Sequence, residues 1–223
     1  MTKKLFFEAI IKFLLGVVLV GVLLFLPAGT FSYLGGWLLM GLLFIPMFIA
    51  GIVMMIKNPA LLKSRLDAKE KRKTQDAVVK TSGLMFLIGF ILAGLNLRFG
   101  WYMLPFPVVI IGSVLFLLSY IMYAEVLREN AYLSRTVKVQ EGQRVVDTGL
   151  YSVVRHPMYA ATVILFLSMP LILGSLYSFF VFLIYPIIIA VRITNEEKLL
   201  ETELAGYVEY KKKVKYRLIP FIW

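Results

Sequence analysis

The sequence predicts an all-α fold, a polytopic membrane helical bundle, and three observations predict it. Of 223 residues, 60% are hydrophobic and the mean hydropathy is +0.84, whereas a soluble domain carries about 45–50% apolar residues. The excess is gathered in runs without a charge, over residues 13–44 and again over 158–191, and a run of roughly 18 or more such residues is a membrane-span candidate. Neither run alternates polar with apolar residues, so the spans are helices rather than barrel strands.

The charge pattern fits a membrane surface better than a nucleic acid. The formal charge is +11, but the basic residues cluster in loops beside apolar spans, where cytoplasmic placement and anionic lipid account for them. No nucleic-acid partner is expected. Cysteine is absent, which excludes a disulfide framework, a thiolate nucleophile and a Cys-based metal site. One His and scattered carboxylates supply no metal-ligand set, and no Gly-rich nucleotide loop is present. The first apolar segment is too long for the core of a signal peptide and reads as a retained span.

In chain order, span one covers 5–26, the turn 27–30 contains Pro27 and Gly29, and span two covers 31–56. The loop 57–80 carries eight basic residues (Lys57, Lys63, Arg65, Lys69, Lys71, Arg72, Lys73, Lys80) against Asp67, Glu70 and Asp76. That excess marks it as cytoplasmic, and the N-terminus with Lys3 and Lys4 falls on the same side after two crossings. Span three covers 81–97. Trp101 and Tyr102 then suit an interfacial turn, and span four covers 108–124. A polar stretch, 125–155, contains Glu125, Arg128, Glu129, Arg135, Lys138, Glu141, Arg144 and Asp147.

The run 158–191 breaks near 170–175. Two helices of about 16 residues each rise about 24 Å, short of the roughly 30 Å hydrocarbon core. A tight helical hairpin is the preferred reading. A single tilted helix is the alternative, against which Pro170 and Pro186 argue. The tail reads as a cytoplasmic helix across 195–214. The chain divides into a membrane bundle of about four spans over 1–124 and a catalytic region over 125–223.

Three polar clusters flank the last spans: one from Gln140 to Tyr151, one at Arg155-His156-Pro157-Met158-Tyr159, and one at Arg192-Ile193-Thr194-Asn195-Glu196-Glu197. Each residue has an ordinary reading. A lone His beside Pro is more often a capping residue than a catalyst. Tyr151 and Tyr159 suit an interfacial belt, and Arg192 with Glu196 suits a helical i,i+4 pair. Together they differ, because a hairpin returns its two ends to one face. It gathers Arg155, His156, Tyr159, Arg192, Glu196 and Glu197 at the membrane boundary, where clustered ionisable groups point to function.

The run from Gly149 through Arg155-His156-Pro157-Met158-Tyr159, then Arg192 to Glu197, then Gly206-Tyr207-Val208-Glu209-Tyr210-Lys211 and Ile219-Pro220, resembles the isoprenylcysteine carboxyl methyltransferase family, part of a wider group with the phospholipid N-methyltransferases. The resemblance covers roughly residues 130–223. It implies an S-adenosyl-L-methionine-dependent methyltransferase with a cytoplasmic-face cofactor pocket in the C-terminal region. The cofactor-binding set it implies is Gln140, Gln143, Arg144, Val145, Val146, Tyr151, His156, Pro157, Met158, Tyr159 and Glu196, with Arg192 towards the methyl acceptor as the catalytic residue.

Residue chemistry is compatible with those roles. Tyrosine faces attract a sulfonium, and a carboxylate such as Glu196 or Glu197 binds an ammonium or ribose hydroxyls. Arg155, or backbone N–H groups at the start of the following helix, can hold a carboxylate. A carboxylate acceptor is already ionised at neutral pH and needs a cation rather than a base, which suits the planar fork of Arg192. The expected partners are a lipophilic or lipidated acceptor and membrane lipids, with the oligomeric state left open. A compact chain of this kind suits a bacterial inner membrane. The rival readings are a phospholipid amine N-methyltransferase, a steroid-reductase-like NADPH enzyme of the membrane, and a non-enzymatic membrane scaffold.

Overall fold

The computed structural model describes residues 3–66, 73–130, 132–133 and 139–223. Asp67, Lys69, Glu70, Lys71 and Arg72 of the charged loop lie outside the described residues, as do Arg135 and Lys138. Among the described residues the chain is helical, with no strand beyond an isolated bridge between Met103 and Ser175.

Helices α1 (Lys3–Ala28), α2 (Leu34–Lys57), α4 (Lys73–Arg98) and α5 (Phe106–Glu129) are long and apolar, as is the segment Leu176–Glu203. These five are long and apolar enough to cross a membrane, and the chain is a multi-pass membrane protein. Leu15, Val18, Ile121 and Ile187 are exposed around the bundle, as lipid-facing side chains are, while Leu24, Phe116, Ile172 and Phe182 are fully buried between helices.

The run 158–191 does fold as a hairpin. Its first leg is α6 (Pro157–Ile172) and its second is α7 (Leu176–Phe182) followed by α8 (Ile184–Glu203). Gly174 takes a left-handed φ of 68° at the turn, a conformation available to glycine without steric cost. Ser175 then caps α7, accepting a hydrogen bond from the Ser178 N–H. The interruption at Leu183 follows from Pro186, which has no N–H to offer the carbonyl four residues back.

The legs are unequal. At 16 residues α6 rises about 24 Å, while the second leg continues straight through Arg192 to Glu203. The expected tail helix over 195–214 is therefore two pieces. Residues up to Glu203 complete α8, Leu204 ends it in an extended conformation, Gly206 turns the chain at φ 84°, and α9 (Tyr207–Lys213) starts anew. Two further departures lie in the charged loop. Pro59–Leu66 forms a short helix, α3, opened by Asn58, whose side chain accepts from the Leu61 N–H at 3.0 Å. Helix α4 begins eight residues before the expected span.

The interhelical turns gather at one end of the bundle. The Tyr33 hydroxyl donates to the Leu173 carbonyl at 2.8 Å, and the Leu104 N–H to the Gly174 carbonyl at 2.8 Å. Helices α5 and α6 run antiparallel and close together because Gly112 has no side chain. A Cβ there would lie 2.7 Å from Leu171 Cβ and 3.2 Å from the Ile172 nitrogen, and small residues permit such approach between membrane helices. This packing fixes the start of α6 at the opposite end, where the polar clusters converge.

Candidate functional site

The Arg-His-Pro motif is a helix-start device first. Pro157 occupies the opening position of α6, where its missing N–H costs nothing and its fixed φ favours the helix. His156 is thereby the capping residue, and its carbonyl accepts from the Tyr159 and Ala160 N–H groups. The tail closes against this corner. The Arg155 and His156 N–H groups donate to the Tyr216 and Arg217 carbonyls, both at 2.9 Å.

Glu197 is the centre of a buried charge cluster. Its carboxylate accepts from Arg155 Nε at 2.7 Å and Arg217 Nε at 2.9 Å, and lies 3.2 Å from His156 Nε2. Arg155 also donates to the Val214 and Lys215 carbonyls at 2.7 and 2.8 Å. The cluster joins both legs of the hairpin to the tail.

One turn away stands a second set. The Tyr159 hydroxyl donates to Glu196 and accepts from Arg192 Nε at 2.8 Å. The Arg192 guanidinium carbon lies 5.7 Å from the Tyr159 ring centre, and His156 stacks on that ring from 5.7 Å. Arg192 and Glu196, adjacent on one face of α8, are thus bridged by a phenol on α6.

These side chains form one wall of a cleft that is partly open to solvent. Of the residues singled out in the sequence, Gln143, Arg144, Val145, Val146, Tyr151, Arg155, His156, Met158, Tyr159, Arg192 and Glu196 line it. Gln140, Pro157 and Glu197 do not. The Gln140 side chain donates to the Tyr132 carbonyl and its N–H to Gln143 Oε1, so it braces the loop behind the cleft. Pro157 is buried at the start of α6, and Glu197 is committed to Arg155, Arg217 and His156. Arg155 does line the cleft, but its guanidinium is engaged by Glu197 and two carbonyls. Arg144, exposed on the cleft wall, is the better placed cation for a carboxylate.

The remaining wall was not assigned to the site from the sequence, although Tyr207 and Tyr210 belong to the run that carries the resemblance: Asn130, Tyr132, Leu133, Leu200, Leu204, Tyr207 and Tyr210. Asn130 Nδ2 donates to the Tyr151 hydroxyl at 3.0 Å, and the Tyr210 hydroxyl to the Tyr151 carbonyl at 2.7 Å. Leu204, Tyr207, Tyr210 and Val214 form a small apolar cluster with Val139, Val145 and Leu200, and Lys213 reaches Asp147 at 2.8 Å. The i,i+3 spacing of Tyr207 and Tyr210 was the available signal, since it puts both on one face of α9. Burial pushes the Tyr151 hydroxyl up to about 12, despite its Asn130 hydrogen bond, and pushes those of Tyr207 and Tyr210 up as well. All three are neutral donors at physiological pH. Among the described residues the Tyr207 hydroxyl is buried without a partner, which is unusual for a buried O–H and fits a wall built to meet a polar ligand.

A second recess opens between α4, α5, α6 and α8. Val78, Val79, Phe86, Phe166 and Ile189 make it apolar, and Met158, Tyr159 and Arg192 belong to both recesses.

Residues 107–205 match the family model described as phospholipid methyltransferase. The match runs from the start of α5 past the end of α8. It is consistent with the group that joins the isoprenylcysteine and phospholipid methyltransferases, and it points to a membrane methyltransferase. No curated protein matches the chain.

Proposed function

We propose that the chain transfers a methyl group from S-adenosyl-L-methionine, bound in the cleft, to a lipophilic acceptor of the isoprenylcysteine carboxylate type held in the groove. The observation that carries this reading is the sharing of Met158, Tyr159 and Arg192 by the two recesses.

The cleft residues suit the cofactor. Arg144 holds a carboxylate, Glu196 an ammonium or ribose hydroxyl, and the orphan Tyr207 hydroxyl a further polar atom. Neutral tyrosine faces at 151, 159, 207 and 210 favour a sulfonium without titrating against it. S-adenosylmethionine supplies a methyl group already activated by that sulfonium. The protein's work is then orientation and exclusion of water. Tyr159 holds Arg192 and Glu196 in fixed relation, so a group aligned by Arg192 lies beside one aligned by Glu196. Arg192 orients the acceptor carboxylate by its fork.

The family description favours a second reading, N-methylation of a phospholipid amine. An amine must lose a proton before it reacts, and no carboxylate or histidine is among the groove-lining residues described. That favours the carboxylate. The excess of basic residues in the loop 57–80 supports a cytoplasmic cleft, and a bacterial inner membrane is the proposed location. Calorimetric titration of the purified protein with S-adenosylmethionine and with NADPH, followed by a labelled-methyl screen of lipid extracts, tests the reading. Binding of NADPH instead of S-adenosylmethionine overturns it, and methylated phosphatidylethanolamine without ester selects the second reading.

A further inference from the structure

The groove has two cationic residues, and only one belongs to the cleft. Arg192 sits at the junction. The other is Arg65, near the end of α3, which lines the groove from the opposite side with its guanidinium carbon 5.4 Å from the Tyr123 ring centre. Helix α3 is held there at both ends. Asn58 caps its start, and Lys12 Nζ donates to the Leu66 carbonyl at 2.9 Å, tying its end to α1. Arg65 is therefore presented from a fixed element.

The groove is polarised along its length. From Met158 to Phe166 on α6, and from Val78 to Phe86 on α4, it runs eight residues, or about 12 Å. Phe86, Phe166 and Tyr185 contact one another edge to face at the deep end, with ring centres 4.8 and 4.6 Å apart. Two guanidinium groups mark the other end, and no carboxylate is among its described lining residues. A channel with an aromatic floor and guanidinium groups at its mouth fits an amphiphile with an anionic head.

We propose that Arg65 is a second acceptor-binding cation, which with Arg192 selects amphiphiles bearing an anionic oxygen, a carboxylate or a phosphate. The proposal rests on the reading of the groove as the acceptor site. It assigns a binding role to the N-terminal half, in a helix outside the segment that matches the family model.

The test uses the full chain in phosphatidylcholine nanodiscs and measures binding of three fluorescent single-chain amphiphiles of equal tail length, ending in a carboxylate, a phosphate monoester or an alcohol. The expected result is about tenfold tighter binding of an anionic form than of the alcohol. Arg65→Gln narrows that preference several-fold, Arg192 supplying what is left, and Arg65→Lys narrows it less, since a hydrogen bond to a charged group is worth up to about that factor. Which anion binds more tightly separates the carboxylate from the phosphate. Equal binding of all three by the unaltered protein, or an unchanged preference in Arg65→Gln, overturns the role of Arg65. Failure of the function proposed above looks different: anionic preference is retained, but S-adenosylmethionine does not bind.

Discussion

Arg155 and Glu197, 42 residues apart, form a buried ion pair with Nε 2.7 Å from Oε1, one residue preceding the first leg of the hairpin and the other on its second. Glu197 binds Arg217 of the tail with its other oxygen. Removing one partner of a buried pair leaves the other charge uncompensated, which costs roughly 3–5 kcal/mol. Glu197→Ala is accordingly expected to lower stability by that order, whereas Glu196→Ala, beside it but on the cleft, weakens S-adenosylmethionine binding with little change in stability. Denaturant titration in detergent, paired with calorimetry, separates them. Equal loss of stability in both would mean that Glu196 is structural too.

Arg192 shares the Tyr159 hydroxyl with Glu196 but lies at the mouth of the groove. Its assigned task is to hold the acceptor, so Arg192→Ala should reduce turnover by on the order of 100-fold while leaving donor affinity within a few-fold. Tyr159→Phe removes the bridge between the two and should impair both donor binding and turnover. Single-turnover kinetics with calorimetry on the same samples decides it, and wild-type turnover in both variants would sink the assignment.

Much of this site was legible because the chemistry is written at helix ends. An uncharged run too short for two full spans, interrupted by Pro170 and Gly174, has to double back, which brings Arg155 towards Glu196 and Glu197 whatever the side-chain detail. The sequence did not disclose which of the adjacent glutamates faces the cleft. That depends on the phase of α8 relative to α6, set by packing such as the close approach at Gly112. The tail helix was misjudged because α8 passes its apolar-to-polar transition at Arg192 without a break, and it stops at Leu204, just before the left-handed turn at Gly206. Helix α3 was hidden inside a charged loop, although Asn58-Pro59 is a helix-start signal.

Tyr207 offers a cleaner probe of the cleft than any charged residue. Its hydroxyl is buried and has no partner among the described residues, so Tyr207→Phe breaks no hydrogen bond among them and relieves an unsatisfied donor. Stability should be unchanged or slightly higher. If the hydroxyl meets the cofactor, S-adenosylmethionine affinity falls about tenfold. Unaltered affinity in a variant of normal stability would remove Tyr207 from the binding set.

The raised Tyr151 hydroxyl predicts a stability change with alkaline pH. An unfolded tyrosine ionises near pH 10, while burial holds Tyr151 protonated to about 12. Between those values the folded state binds the extra proton, so stability is full below about pH 10 and declines as pH rises through the window. Tyr207 and Tyr210 shift the same way and steepen the decline. Tyr151→Phe should flatten the slope of unfolding midpoint against pH while lowering the plateau, because Asn130 loses its acceptor. An unchanged slope would show that Tyr151 ionises as it does in the unfolded chain.

Separate recesses for donor and acceptor also predict a substitution that affects only one of them. Ser82 lines the groove but not the cleft, and its hydroxyl is engaged only locally, donating to the Val78 carbonyl of its own helix at 2.8 Å. Phenylalanine there leaves no hydrogen-bond partner stranded outside α4 and fills groove volume with apolar atoms in an apolar setting, so the fold should tolerate it. Acceptor KM should rise several-fold, more for branched or bulky tails than for slender ones, with donor affinity unaltered. If Ser82→Phe leaves acceptor KM unchanged for every tail, the acceptor does not approach between α4 and α6, and its route to Arg192 has to be sought on the aqueous side of the cleft.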